Sequence, residues 1–302
     1  MTTKEKLLEL FESNRDIYFS GEDIANRLSL SRTAVWKAVK SLRNEGYAID
    51  AATNRGYCLS SRTDILSAQG IHKYLRPELQ DMEIFVTDTA VSTNAIVREK
   101  AGAGKSEGYI VLANEQTEGR GRLKRSFFSP KDTGIYMSLL LRPENCSAEQ
   151  AVRITTMAAV VMCEAIEAVS DEKAGIKWVN DIFIRGKKVC GILTEGAFNL
   201  ENGLLDYAVL GIGINIYPPK DGFPEEIGHI AGTVFQESQC DAKNRLVSEF
   251  LNRFYDYYSA EDHRSYVEKY RDRSLVIGRE VTLISHQSSR SALVLGIDDE
   301  CH

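Results

Sequence analysis

Apolar residues recur at helical spacing in the first part of the chain, at Leu7, Leu8 and Phe11 and again at Val35, Val39 and Leu42 (i, i+4, i+7). This predicts helices over 3–13 and along SRTAVWKAVKSLRNEG. Between them, Ser20 is placed to cap a helix running to about Leu28, with Asp23 as an acidic variant of the capping box, and Ser31 caps the next. The outward face of that third helix carries Thr33, Lys37, Lys40 and Asn44. In YAIDAATNRGYCLS the reading changes to two short strands around a turn at Asn54, Arg55 and Gly56.

Further on, strands and helices alternate. EIFVTD (83–88) and GYIVLANEQ (108–116) flank a helix that begins near STN (92–94), and GIYMSLLLRP (134–143) precedes a long helix over 148–169. IKWVND (176–181), KKVCGILTEG (187–196) and DYAVLGIGINIY (206–217) are strand-like in part, and helices resume at 242–259. Such an order predicts an α/β or α+β layer with one sheet as platform. Near the end, Val281 and Leu283 alternate in a strand, a turn follows, and a second strand is expected over 292–297. Two strands cannot close a barrel, so this last piece reads as a shortened β domain.

Composition adds the setting. With 302 residues and 43% hydrophobic content the chain can bury a large core in two or three domains. The opening MTTKEKLLELF lacks the apolar run of a signal peptide, and no stretch approaches the roughly 18 apolar residues of a membrane span, so a cytoplasmic protein without a membrane partner is expected. Six cysteines (58, 146, 163, 190, 240 and 301) are scattered with no C-x-x-C pair, which indicates neither a disulfide framework nor a zinc site. Residues 1–62 carry a net charge of +2, whereas the rest carries −8. Only the N-terminal piece is suited to a polyanion. The order helix, helix, basic helix, hairpin resembles a winged helix-turn-helix. On that reading Arg32, Thr33, Trp36 and Lys37 reach base edges in the major groove, and Lys40 and Arg55 lie nearer phosphates.

Four stretches in the middle are chemically unusual. EGRGRLKRSFFSP (118–130) sets Arg120, Arg122, Lys124 and Arg125 beside Gly119 and Gly121, as a loop gripping phosphate would. KWVND (177–181) ends a strand with Asn180 and Asp181, oxygen donors of the kind a magnesium–nucleotide complex uses. GKKVCGILTEG places Lys187 and Lys188 before a strand whose Gly191 permits close approach. GIGIN puts Gly211 and Gly213 inside a strand, at a cost of roughly 0.5–1 kcal/mol each, which implies that something lies against the backbone there.

Together these stretches resemble one family, the bifunctional biotin protein ligases that double as biotin operon repressors. The residues that carry the resemblance are STN (92–94), EQTEGRGR (115–122) with FSP (128–130), KWVND, KKVCGILTE (187–195) and GIGIN (211–215), behind SRTAVWKAVKSLRNEGY. Nearly the whole chain is covered, in the family's order and spacing. Lys124, Phe127 and Val179 depart from the glycine, tryptophan and proline usual at their positions.

The resemblance implies an α+β protein with a winged helix-turn-helix over 1–62, a mixed-sheet ligase domain of the biotin/lipoate type over 63–272 and a short SH3-like segment over 273–302. It implies catalysis by Lys188, Arg120 and Arg122. Biotin would be bound by Ser92, Thr93, Asn94, Gln116, Gly119, Gly191, Gly211 and Gly213 together with those three, and the nucleotide by Arg122, Arg125, Phe127, Lys177, Asn180, Asp181 and Asn215. Asp181 is the candidate magnesium ligand. Biotin and ATP with Mg2+ are the implied small molecules. A biotin carboxyl carrier domain, operator DNA and a second copy of the chain bound to biotinyl-AMP are the implied partners. Two other readings stand beside it: a DNA-binding regulator that senses biotin or its adenylate with weak ligase activity, and a lipoate-type ligase.

Overall fold

The computed structural model describes all residues except 145, 200, 202, 263 and 285–288, and of 124 and 148–150 the backbone alone. The chain forms two compact units, one from residues 1–80 with 238–249 and the other from 81–237 with 250–302.

In the first unit α1 (Thr3–Glu12) opens with a capping box between Thr2 and Glu5, a signal the apolar pattern alone did not reveal. Helix α2 (Gly21–Leu28) is capped by Ser20, whose hydroxyl donates to the Asp23 carboxylate while accepting from the Asp23 N–H; the box therefore closes between side chains. Ser29 takes the left-handed conformation that ends it, and Ser31 caps α3 (Arg32–Asn44). Leu7, Phe11, Ile24, Val35, Val39 and Leu42 are buried together, so the three apolar stripes share one core. Strands β1 (Ile49–Ala52) and β2 (Gly56–Leu59) form the wing hairpin, with Asn54 and Gly56 at positive φ. A Cβ on Gly56 would lie 2.0 Å from the Phe19 carbonyl, because Phe19 pairs with Tyr57 as a further bridge. Helix α4 (Ala68–His72) follows.

The second unit is built on a seven-stranded sheet in the order β3-β4-β5-β9-β8-β7-β6. Its strands are β3 (Ile84–Ala90), β4 (Ile110–Gln116), β5 (Gly134–Leu141), β6 (Gly175–Lys177), β7 (Asp181–Ile184), β8 (Lys187–Phe198) and β9 (Leu205–Asn215). Only β3 and β4 are parallel, and α5 (Thr93–Gly102) is the crossover between them. Every residue of β5 is buried, which explains its unbroken apolar run. Helix α5 covers the face that carries Ser138, and Thr155 of α6 (Ala148–Val169) meets Thr194 on the other. Helices α7 (Glu225–Gly228) and α9 (Val267–Asp272) are short, and α8 (Ala242–Tyr258) gives residues to both units.

The last strands are β10 (Glu280–Ile284) and β11 (Ser289–Leu293), an antiparallel hairpin. The second strand thus lies a few residues earlier than the alternation over 292–297 suggested, because Leu293 pairs back with Glu280. Its turn falls outside the described residues. Among the described residues no helix is long and apolar enough to cross a membrane.

Candidate active site and nucleic-acid interface

A cavity of about 290 Å³ opens on the α5 face of the sheet. Two cross-strand rows form its floor. Tyr136, Gly213, Gly191 and Asp181 pair in one row, and Ser138, Gly211 and Leu193 in the other. Glycine is required in both rows, because a Cβ on Gly211 would lie 2.2 Å from Asn94 Oδ1 and one on Gly213 would lie 2.5 Å from the Phe127 ring. What lies against the GIGIN backbone is therefore first the protein itself, two side chains that descend onto the sheet beside the cavity.

Lys187 and Lys188 show how tertiary structure settles a choice. Counting back from Gly191, strict alternation gives the cavity face to Val189 and Lys187. A register shift opposite Ile182 and Phe183 leaves Val189 unpaired and turns Lys188 to the cavity instead. Lys188 Nζ lies 2.6 Å from Asp181 Oδ1, whereas Lys187 donates to the carbonyls of His229 (2.7 Å) and Gly228. The Lys188 backbone is pinned on both sides, its N–H donating to Ile230 and its carbonyl accepting from Gly232. Burial raises the thiol of neighbouring Cys190 well above its ordinary value, which removes it as a nucleophile.

The basic loop is a small hairpin. Phe127 N–H donates to the Gly119 carbonyl and Gly121 N–H to that of Arg125, with Leu123 left-handed and exposed at the tip. Arg120, Arg122 and Arg125 all line the cavity. Arg122 is held by a 3.0 Å hydrogen bond to Asn180 Oδ1, and Asn180 is itself fixed by donating Nδ2 to the Ile192 carbonyl. Residue 179, where the resemblance has proline, follows a cis peptide bond.

At the N-terminus of α5 the groups are neutral. Ser92 makes no capping hydrogen bond; instead the Gln116 carboxamide accepts from Thr93 N–H at 2.9 Å. Gln116 Nε2 donates to Ser129 Oγ, whose hydroxyl donates to the Phe127 carbonyl. Asn94 Nδ2 donates to Glu195 at 2.7 Å, and Glu195 also meets Arg98. Ser138 Oγ, fully buried, lies 2.6 Å from Asn94 Oδ1 and 2.7 Å from Thr93 Oγ1.

The structure thus brings Ser92, Thr93, Asn94, Gln116, Arg120, Arg122, Arg125, Phe127, Asn180, Asp181, Lys188, Gly191, Gly211 and Gly213 to one wall. Three expected residues lie off it. Gly119 is at the loop's base, where a Cβ would strike the Phe127 carbonyl at 2.4 Å; Lys177 sits over the Phe183 ring; and Asn215 donates to the Gly232 carbonyl. Ser138 and Glu195 were not singled out from sequence. The lone hydroxyl within GIYMSLLL was the available signal for Ser138.

The matches with known proteins agree with this arrangement. Residues 88–215 match the Biotin/lipoate A/B protein ligase family and residues 3–58 an HTH domain. The Bifunctional ligase/repressor BirA of Bacillus spizizenii is 35% identical over 99% of this chain and 92% of its own length, and that of Bacillus subtilis 33% over the same shares. The chain belongs to the family of bifunctional biotin protein ligase/repressors. Among solved structures, the biotin protein ligase from Aquifex aeolicus in complex with biotin and ATP shares the fold, with TM-score 0.60 and 24% identity over 72% of this chain and 89% of that one.

The winged helix of this ligase/repressor chain leaves Arg32, Thr33, Trp36, Lys37 and Lys40 exposed on α3 and Arg55 exposed on the wing. A groove of about 790 Å³ runs between α3 and the hairpin, lined by Arg32, Thr33, Trp36 and Asn54 among others. Lys40 lies over the Trp36 ring, and the Arg55 guanidinium stacks 3.9 Å from the Tyr18 ring. Such stacking holds both cations outward at little entropic cost.

Proposed function

We infer that the chain is an ATP-dependent biotin protein ligase and a DNA-binding repressor. The observation that carries the ligase reading is the two-ended cavity. Neutral donors and acceptors gather about Gly211, and Lys188 and Arg122 gather about Gly191, two residues or roughly 7 Å further along the sheet. A neutral cyclic urea with an anionic tail fits that polarity. The tail's carboxylate oxygen attacks the α-phosphorus of ATP; the new O–P bond forms as the bond to pyrophosphate breaks. Two anions meet in this step, and the cationic groups Lys188, Arg120, Arg122 and Arg125 offset their repulsion. A lysine amine of a biotin carboxyl carrier domain then attacks the acyl carbon, and AMP leaves.

Asp181 Oδ1 accepts no hydrogen bond of ordinary geometry although it is buried and beside Lys188. A buried carboxylate oxygen that meets only the Lys188 cation fits a magnesium ion held mainly by nucleotide phosphates and water, which needs only one or two protein carboxylates. The ion would neutralise phosphate charge during attack. Biotin-dependent exchange of pyrophosphate into ATP, followed by labelling of a carrier domain, tests the ligase reading. Biotin binding without exchange would leave a DNA-binding sensor.

Two half-sites give a winged helix useful selectivity among genomic competitors, so repression is expected from a homodimer formed when the adenylate is bound. The protein would act in the cytoplasm, where carrier domain, ATP and DNA meet. Lys37→Ala is expected to weaken binding to the upstream DNA about tenfold without changing ligation, and biotin with ATP together should tighten wild-type binding. Gel-shift titration at fixed salt checks both. Affinity indifferent to biotin with ATP would separate the two activities.

A further inference from the structure

We propose that Tyr18 is a positioning residue for the wing, an aromatic floor that holds the Arg55 guanidinium ready for one phosphate of the DNA backbone. The inference rests on the repressor reading above and adds a residue that lies outside both α3 and the hairpin.

Tyr18 stands in the link between α1 and α2, and that link is pinned to the β2 side of the wing at two points that flank it. Asp16 N–H donates to the Leu59 carbonyl at 2.8 Å, and Phe19 and Tyr57 exchange both backbone hydrogen bonds. Phe19 comes this close because residue 56 is glycine. The Tyr18 ring is therefore fixed by the body of the unit, not by the turn it serves. Arg55 belongs to that turn, between Asn54 and Gly56, both at positive φ, and its side chain is exposed. Among the described residues its guanidinium makes no hydrogen bond or ion pair; what it meets is the Tyr18 ring, with Cζ 3.9 Å from the centroid. A guanidinium that lies with its face on a ring keeps its N–H groups, which point outward in its own plane, for another partner. Phosphate oxygens match that edge, and a cation already restrained loses less freedom on binding than one at the end of a mobile side chain. Backbone phosphates carry no sequence information, so the pair adds affinity and not selectivity.

The test uses the full chain with biotin and ATP present and follows the fluorescence anisotropy of two labelled duplexes, the upstream DNA and one of scrambled sequence, over a range of salt. Arg55→Ala is expected to weaken binding to both about tenfold and to lower the salt slope by about one for each subunit bound. Tyr18→Ala leaves every charge in place and should still weaken both about threefold, the scale of an exposed cation–ring contact. Tyr18→Phe keeps the ring and should bind as wild type does. Tyr18→Leu, apolar but without a π face, should behave like the alanine variant, which keeps the test open if Tyr18→Ala folds poorly. The deciding measurement is the double variant, because Tyr18→Ala should cost nothing further once Arg55 is replaced by alanine. Pyrophosphate exchange should be the same in every variant. The proposal is overturned by normal binding in Arg55→Ala, by an equal cost of Tyr18→Ala with and without Arg55, by a Tyr18→Phe protein as weak as Tyr18→Ala, or by a loss confined to the upstream sequence. If wild type binds the upstream DNA no better than the scrambled duplex, it is the repressor reading that fails, and the comparison of variants on the scrambled duplex still decides the role of Tyr18.

Discussion

Lys188→Ala is expected to lower biotin-dependent pyrophosphate exchange by about a hundredfold to a thousandfold, the scale seen when one preorganised group is removed from developing charge. Lys187→Ala should leave exchange within about twofold, since this neighbour is committed to the His229 and Gly228 carbonyls. The contrast is informative because the two lysines are adjacent and identical. Only the irregularity at Val189 distinguishes them. Circular dichroism separates loss of fold from loss of chemistry, because Lys188→Ala also takes the cation from the Asp181 carboxylate, whose Oδ1 is buried. Near-normal exchange in Lys188→Ala with unchanged circular dichroism would remove Lys188 from the chemistry.

The other large effect concerns stability. Asp241 is almost fully buried in the first unit and accepts from four donors: Arg15, Lys73, Tyr74 and Asn244. Glu12, also buried, accepts from Arg15 and Lys73. Two cations thus share two carboxylates away from water. Asp241→Ala leaves both cations short of a partner and is expected to destabilise this unit by about 3–5 kcal/mol. Asp241 also sits at positive φ, a conformation that aspartate and asparagine tolerate better than alanine. Asp241→Asn, keeping that backbone preference, should therefore cost less than the alanine change. Urea unfolding followed by tryptophan emission measures both. A loss below about 1 kcal/mol in Asp241→Ala would mean the cluster is solvated in solution.

Much of the fold was legible because its signals are local. Ser20 and Ser31 announced two helix starts, the stripes Leu7–Phe11 and Val35–Leu42 announced two helices with one apolar face each, and Asn54 with Gly56 announced the wing. Each depends on residues within a turn or two of one another, so spacing along the chain carries the information. The chemical stretches were visible for a related reason: glycines inside a strand and clustered arginines oppose what folding alone would favour. Residue types and the family resemblance therefore named most of the cavity wall.

What spacing did not carry was decided in three dimensions. Gly119, Lys177 and Asn215 lie in the right stretches, but the loop's base, the Phe183 ring and the Gly232 carbonyl take them away from the cavity. Ser138 and Glu195 were not singled out, because what they touch is Asn94, which reaches Glu195 across 101 residues of chain. Arg15 and Asp241 are 226 residues apart and meet only in the folded unit. Period and composition determine which face of an element is apolar. A bulge, a hydrogen bond between distant elements or a buried ion cluster depends on which elements lie side by side, and only the tertiary structure fixes that.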